Sequence, residues 1–339
     1  MKPIALDAMG GDYMPEASVE GARWAAAEGV PVILVGDKVR IEEEFDKRGS
    51  ELPVAHASDV IEMDDHAADV RRRRDSSISV AMHLVRDGEA SGCISMGHSG
   101  ATMAAALLTL GRIKGVDRPA IFTSIPAGDH YVGLLDAGAN ADCRPRYLQQ
   151  FAVMGSLYAQ DVLGRERPTV GLLSIGEESH KGNELTREAH RLLMDTPGIA
   201  FYGNVEGRDL FAGTTDVVVT DGFTGNVALK LAEGEAKALF AWIREALNSS
   251  TVAKLGALLV RSALRRVAKR LDPAEYGAQP LLGVAGYAFI GHGSSSSRAV
   301  YSALKSARNT IESGVVATIT NGLASLEDTT PIGPSPKGT

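Results

Sequence analysis

Of 339 residues only two are cysteines, Cys93 and Cys143, and they do not form a C-x-x-C pair. That removes a structural zinc finger and a disulfide framework, and reduced thiols are expected. Aromatic residues make up 5% of the chain, too few to build stacking platforms for single-stranded nucleic acid. Lysine and arginine number 35 against 42 acidic residues, a net charge of −7, so no nucleic-acid partner is expected. No run of about 18 apolar residues occurs, so nothing reads as a membrane span. The start, MKPIALDAMGGD, lacks the apolar stretch of a secretory signal, and a cytoplasmic location is expected.

What remains is an ordinary globular composition, 44% hydrophobic and 23% charged, long enough for a large core. Short apolar runs alternate with helical patterns. Strands are expected at Ile4–Leu6, Val32–Val35, Gly92–Ser95, Ala120–Ser124, Tyr131–Leu135, Val170–Leu173, Ala200–Tyr202, Val217–Val219 and Tyr287–Ile290. Many run into a glycine-rich turn and then a helix. This rhythm predicts an α/β fold with a mostly parallel sheet. Ligands of such sheets sit beyond the carboxyl ends of the strands, so the turns are expected to share one edge. Residues 1–324 read as one α/β catalytic unit. Residues 228–272 lack strand signals and read as a helical excursion, and the polar 325–339 reads as a disordered tail.

The turns carry the candidate chemistry. In TDGFTGNVALK, Gly222 and Gly225 permit close backbone approach and Asn226 offers an amide, but neither nucleotide-binding glycine consensus is present. SMGHSG places His98 and Ser99 at a helix start, where free N–H groups attract anions. SIGEESHKGNE puts Lys181 on a glycine turn, where an ammonium can neutralise a phosphate or an oxyanion. IGHGSSSS adds His292 and Ser294 before another helix. Each turn could equally be only a strand–helix connection with a cap. Gly10 and Gly11 lie between Asp7 and Asp12, but two acids are too few for a hard cation, and no metal is expected. Cys143 could be a nucleophile, although no histidine flanks it and a quiet buried thiol fits better.

Two stretches are rich in cations. Arg71–Arg74 read as a solvated face or a patch for an acidic partner. Along 251–273, Val260, Leu264, Val267 and Leu271 form a helical stripe, with six basic residues expected on the other side. Such a helix can pack on the core or a twin subunit, or lie on an anionic membrane.

Taken in order, IALDAMGGD, RRRRDSS, GRIKGVDRPAI, LLDAGANADCRPRYLQQFA, SIGEESHKGNE, FYGNVEGRDLF, TDGFTGNVALK, LDPAEYGAQPLLG and HGSSSS resemble the bacterial phosphate acyltransferase family PlsX, from about residue 3 to 310. The resemblance implies a three-layer α/β/α fold similar to phosphotransacetylases and isopropylmalate dehydrogenases. It implies transfer of a long-chain acyl group from acyl carrier protein to inorganic phosphate, without a cofactor. The acyl phosphate product would pass to a membrane acyltransferase acting on glycerol 3-phosphate. A homodimer peripherally attached to the inner face of the cell membrane is implied as well. On this reading phosphate attacks the thioester directly. Lys181, Asn226 and His292 are the candidate catalytic residues. Gly10, Gly11, His98, Ser99, Gly222, Gly225 and Ser294 are the candidate phosphate and substrate contacts, and Leu258, Leu259 and Val260 face the membrane. The chain departs from the family pattern at His98-Ser99, where Asn-Thr is frequent, and at Ala285, where Asn is frequent. A short-chain phosphotransacylase using coenzyme A shares these loops. An NAD-dependent decarboxylating dehydrogenase would require clustered aspartates.

Overall fold

The computed structural model describes residues 1–49, 51–275 and 277–329. In chain order the elements are β1 (Ile4–Asp7), α1 (Glu16–Ala27), β2 (Val32–Gly36), α2 (Lys38–Arg48), β3 (Val54–His56), α3 (Ser77–Arg86), β4 (Gly92–Ser95), α4 (Ser99–Thr109), β5 (Ala120–Ala127), β6 (His130–Leu135), α5 (Pro145–Asp161), β7 (Thr169–Leu173), α6 (Glu184–Met194), β8 (Ala200–Val205), α7 (Asp209–Ala212), β9 (Val217–Val219), α8 (Gly222–Asn248), α9 (Thr251–Arg270), β10 (Ala278–Leu282), β11 (Ala288–Gly291), α10 (Ser297–Glu312) and α11 (Val315–Thr329). Capping follows local chemistry: Asp37 accepts the Val39 N–H at the start of α2, and Gly49 closes that helix in the left-handed region.

The strands form one sheet ordered β3-β2-β1-β4-β11-β10-β5-β6-β9-β7-β8. Alternate side chains point to opposite faces, so Ile4 and Leu6 pack under α1 and α10 while Ala5 packs under α3. One helical layer holds α1, α2, α5, α6, α10 and α11. The other holds α3, α4, α7 and the first half of α8.

The expected strands are all present, and two more appear. β3 is three residues of a partly exposed edge, too short for a periodic signal. β10, Ala-Gln-Pro-Leu-Leu, carries a proline that reads against a strand. It joins the two halves of the sheet, pairing through Ala278–Pro280 with β11 and through Leu281 and Leu282 with β5, antiparallel to both. β10, antiparallel to both neighbours, leaves β5 running with β11, and the antiparallel β5–β6 pair reverses the sheet. Strands β1 to β4, β11 and β5 run one way, and β10, β6, β9, β7 and β8 run the other. The glycine turns therefore do not share an edge, as the sequence suggested. The turns after β1, β4 and β11 lie at one edge, and those after β7 and β9 lie at the opposite one.

The helical excursion is a hairpin of α8 and α9, and α8 begins at Gly222, earlier than the composition indicated. No residue of α9 is buried, so its apolar stripe does not pack on the core. The expected tail is helical as far as Thr329, and residues 330–339 lie outside the described residues.

Candidate active site

At the first edge three glycine turns press together. A β-carbon at Gly10 would stand 2.8 Å from the Gly97 nitrogen, and one at Gly11 would stand 2.9 Å from the Gly293 carbonyl oxygen. The Asp12 N–H donates to that same carbonyl at 2.8 Å. Only glycine allows this approach, and Gly11 also has a left-handed φ of 104°. Beneath the turns lies Asp7. Its carboxylate accepts the Met9 and Gly10 N–H groups at 3.2 Å and the Ser95 hydroxyl at 2.7 Å. Burial raises its pKa, against the lowering by these bonds. Asp7 is committed to the turns rather than to a metal, and Cys93 beside it is a buried thiol whose pKa burial pushes well up.

The cap of α4 is His98, not Ser99: the His98 Nδ1 accepts the Ala101 N–H at 3.2 Å. The N–H groups of Gly11, Ser99, Gly100, Gly293 and Ser294 have no acceptor among the described residues. Three turns thus converge with unpaired donors at the start of a helix, the arrangement that holds an anion. The segment before α3 covers this cradle. Ala67 stands 3.1 Å from a β-carbon at Gly100, and Met63 stands 3.5 Å from one at Gly293. In the arginine run after it Arg71, Arg72 and Arg74 are exposed, in line with a solvated face, and Arg73 is half-buried. Arg73 binds Asp59 and Asp65 at 2.5 Å, and Arg72 binds Asp69.

His292 follows β11 and faces α8, with Nε2 3.8 Å from a Glu233 carboxylate oxygen. Burial lowers its pKa first, the charge of Lys230 adds to this, and Glu233 opposes it, so the ring is neutral at pH 7. Beside His292 an apolar cavity of about 90 Å³ opens between α8 and the sheet, lined by Ile125, Phe211, Leu229, Ala232 and Ala236 among others. Gln279 and Thr123 supply its polar wall, joined by a 3.0 Å hydrogen bond. Gln279 lies in the LDPAEYGAQPLLG stretch, but Glu233 and Thr123 carry no motif that sequence reasoning could have found; the helix crossing brings them here.

The opposite edge is built differently. Asp221 caps α8, accepting the Thr224 N–H and hydroxyl at 2.8 Å. The Gly222 N–H donates to the Asn140 carbonyl at 2.7 Å and the Gly225 N–H to the Asp221 carbonyl at 2.9 Å. These donors are spent, so the backbone around Gly225 does not offer the phosphate cradle expected from sequence. Its glycines serve packing instead: a β-carbon at Gly222 would stand 2.6 Å from the Asn140 carbonyl. Asp136 organises that loop, accepting N–H groups from Ile121, Gly138, Ala139 and Asn140 at 2.7–3.1 Å. Asn226 is exposed on the first turn of α8, and Lys181 is exposed beyond β7 with no side-chain partner among the described residues. Cys143 sits nearby, its thiol pushed up to about 12, chiefly by burial, which leaves no thiolate for attack.

From Gly225 to Glu233 is eight residues of α8, a rise of about 12 Å. One phosphate ion cannot touch both Gly225 and the turn of Ser294. Gly10, Gly11, His98, Ser99, His292 and Ser294 are together; Asn226, Gly222 and Gly225 lie at the opposite edge, and Lys181 follows β7 at that edge without touching them.

A family model described as fatty acid synthesis protein matches residues 2–318. A phosphate acyltransferase of Thermus thermophilus is 58% identical over 323 residues, covering 95% of this chain and 99% of the relative. The chain belongs to the PlsX family of phosphate acyltransferases. A phosphate acyltransferase of Synechocystis is 47% identical over 329 residues, covering 95% and 94%. Among solved structures, the EutD phosphotransacetylase of Staphylococcus aureus superposes with a TM-score of 0.56 at 18% identity, covering 91% of this chain and 94% of its own. A 4-hydroxythreonine-4-phosphate dehydrogenase of Klebsiella pneumoniae gives 0.55 at 13% identity, covering 92% and 100%. These likenesses concern the fold. A cluster of metal-ligating side chains, which dehydrogenase chemistry of the kind considered above would need, is absent among the described residues.

Proposed function

We propose that this phosphate acyltransferase moves a long-chain acyl group from acyl carrier protein to inorganic phosphate. The observation that carries the reading is the cradle of unpaired N–H groups opening beside a narrow apolar cavity. Phosphate is already a nucleophile at neutral pH and needs positioning more than activation. One phosphate oxygen bonds to the thioester carbon, the carbonyl becomes an oxyanion, and its collapse breaks the C–S bond. The thiolate leaves with its electron pair and takes a proton from water; a thiol of pKa near 8.5 leaves without an acid. His292 beside the cavity and the N–H groups of Gly293 and Ser294 are the donors offered to the oxyanion. No cofactor has a part in this scheme.

Lys181 and Asn226 enter through dimerisation. On this reading the edge bearing them in one copy completes the cradle of a second copy, since within one chain α8 holds the two edges apart. The hairpin, with Leu258, Leu259 and Val260 exposed, attaches the enzyme to the cytoplasmic membrane face, where the acyl phosphate passes to a glycerol-3-phosphate acyltransferase. No helix among the described residues is long and apolar enough to cross a membrane.

The test is thiol release from long-chain acyl carrier protein with and without phosphate, against acetyl-coenzyme A. Release that requires phosphate and the long-chain carrier substrate supports the reading. Preference for acetyl-coenzyme A would make this a short-chain enzyme, and release without phosphate would make it a thioesterase.

A further inference from the structure

The stretch FYGNVEGRDLF supplies no group to the reaction proposed above, yet it holds a buried asparagine. Asn204 lies on β8 and is 3% exposed. A bulge aims it. The pairing of β8 with β7 slips between Val170 and Gly171, so that Phe201 stands opposite Val170 and Gly203 opposite Gly171. Tyr202 is the extra residue, and Gly203 takes up the bend with a φ of 124°. Along a regular strand Phe201 and Val205 would share a face. Here Phe201 packs with the layer of α5 and α6, while Val205 packs on the other side of the sheet. Asn204 is thereby turned toward α6, onto the face of Phe201.

An amide buried there needs partners, because leaving it unpaired is costly. Its Nδ2 donates to the Glu178 carbonyl at 2.8 Å, and its Oδ1 lies 2.9 Å from the His190 Nδ1. A carbonyl can only accept. That fixes which way the amide faces, and the His190 ring must carry a proton on Nδ1. Edge contact with Phe201, 5.2 Å between ring centres, steadies the ring.

Glu178 belongs to the turn of Lys181. Its carbonyl also accepts the Lys181 N–H, at 3.0 Å. Just after the lysine, Gly182 has a left-handed φ of 98°, and a β-carbon there would stand 2.8 Å from the Ser174 hydroxyl oxygen. Among the described residues the other side-chain ties to this turn, Arg208 to Glu177 and Arg187 to the Gly182 carbonyl, are exposed. Exposed ties hold little. The lysine side chain is in solvent, but the turn beneath it is held from the core by the Asn204 amide.

We propose that Asn204 and His190 are positioning residues for Lys181. Asn204 holds the Glu178 carbonyl, that carbonyl holds the Lys181 backbone, and His190 keeps Asn204 in the orientation that donates. Neither touches substrate. This rests on the part given to Lys181 in the reaction proposed above, where a displacement of about 1 Å costs on the order of a hundredfold in rate.

Asn204→Leu keeps a branched shape and removes the donor. In the full-length protein it should lower phosphate-dependent thiol release from long-chain acyl carrier protein about tenfold or more when Lys181 is present, and less than about twofold in the Lys181→Ala background. Equal loss in both backgrounds overturns the proposal, since damage to the fold does not depend on the lysine. His190→Leu should reproduce the loss. His190→Asn, whose Nδ2 takes the place of Nδ1, should restore turnover to within about threefold of the unaltered protein. His190→Asn no better than His190→Leu overturns the proposal, and this pair decides alone if Asn204→Leu gives no cooperative melt. Amide hydrogen exchange over residues 176–182 needs no substrate. It should quicken about tenfold in Asn204→Leu and in His190→Leu but not in His190→Asn. Unchanged exchange in the two leucine variants overturns the tie to the turn. Faster exchange in them, with full turnover in Lys181→Ala, refutes the part given to Lys181 and leaves the tie standing.

Discussion

Gly225 lies so close to Asp136 that a β-carbon at position 225 would collide with the Asp136 carbonyl oxygen. The contact locks the first turn of α8, and with it Asn226, onto the loop that follows β6. Backbone cannot yield as a flexible side chain would. Gly225→Ala is expected to cost about 1–3 kcal/mol, seen as a lower thermal midpoint. Gly234 lies on the same helix with nothing within 4 Å of the added carbon, so Gly234→Ala should gain about 0.5–1 kcal/mol. Thermal melts of the two variants should shift in opposite directions.

Asp136 holds four backbone donors, and Asp136→Ala would leave the buried Ile121 N–H and three partly buried N–H groups without an acceptor. A loss of about 3 kcal/mol or more is expected. Asp136→Asn keeps one acceptor oxygen and should fall between the two. Urea unfolding of the three proteins, with unchanged slopes, would establish that order.

His292 sets a pH dependence whose sign follows from its lowered pKa. An unfolded imidazole titrates near 6.5, and this one titrates below that. Between the two values the unfolded chain holds more protons, so stability falls as pH drops through 6.5 and levels off below the folded pKa. His83, also lowered chiefly by burial, adds a parallel slope. His292→Asn should flatten the stability profile below pH 6.5 without abolishing it, measured by melts from pH 5 to 8.

Lys181→Ala and Asn226→Ala should each reduce turnover by about a hundredfold or more while leaving the melting temperature close to that of the unaltered protein, since both side chains are exposed. If the cradle is completed across a dimer, mixing inactive Lys181→Ala protein with inactive His292→Ala protein after subunit exchange should restore up to a quarter of the activity, about the yield of one intact site per mixed dimer with random pairing. Failure to restore any activity would confine both groups to one chain.

Leu258, Leu259 and Val260 are all exposed midway along α9, Leu259 by 86%. Replacing the three with serine removes apolar area without touching the core. Flotation with phosphatidylglycerol vesicles should fall severalfold while the thermal midpoint stays constant. Unchanged flotation would remove the membrane role from this face.

Much of the architecture was legible in the chain. β-Branched runs ending in glycine turns announced the parallel strands and the helix starts, because strand and helix periodicity are local properties of the backbone. The glycines were legible as close-approach positions, although not what they approach. Gly10 and Gly11 meet other turns of the cradle, whereas Gly222 and Gly225 meet a loop held by Asp136. Asp7 was legible only as an acid weighed for a metal and Asp136 only inside a longer stretch, since a carboxylate that binds nearby N–H groups has no spacing rule of its own.

Local pattern determined the elements, their order and the polar turns that could hold phosphate, since each depends on residues a few positions apart. Direction within the sheet was decided by β10 pairing at once with β11, its neighbour in the chain, and with the far earlier β5. Because β10 is antiparallel to both, β5 keeps the direction of β11, and the antiparallel step from β5 to β6 sends the turns of Lys181 and Asn226 to one edge and those of His98 and His292 to the other. It also leaves α8 to cross the sheet between them and carry its hairpin into solvent, with no residue of α9 buried. Only the packed sheet could settle this, because strand direction is a relation between distant segments and has no expression in the residues of either one.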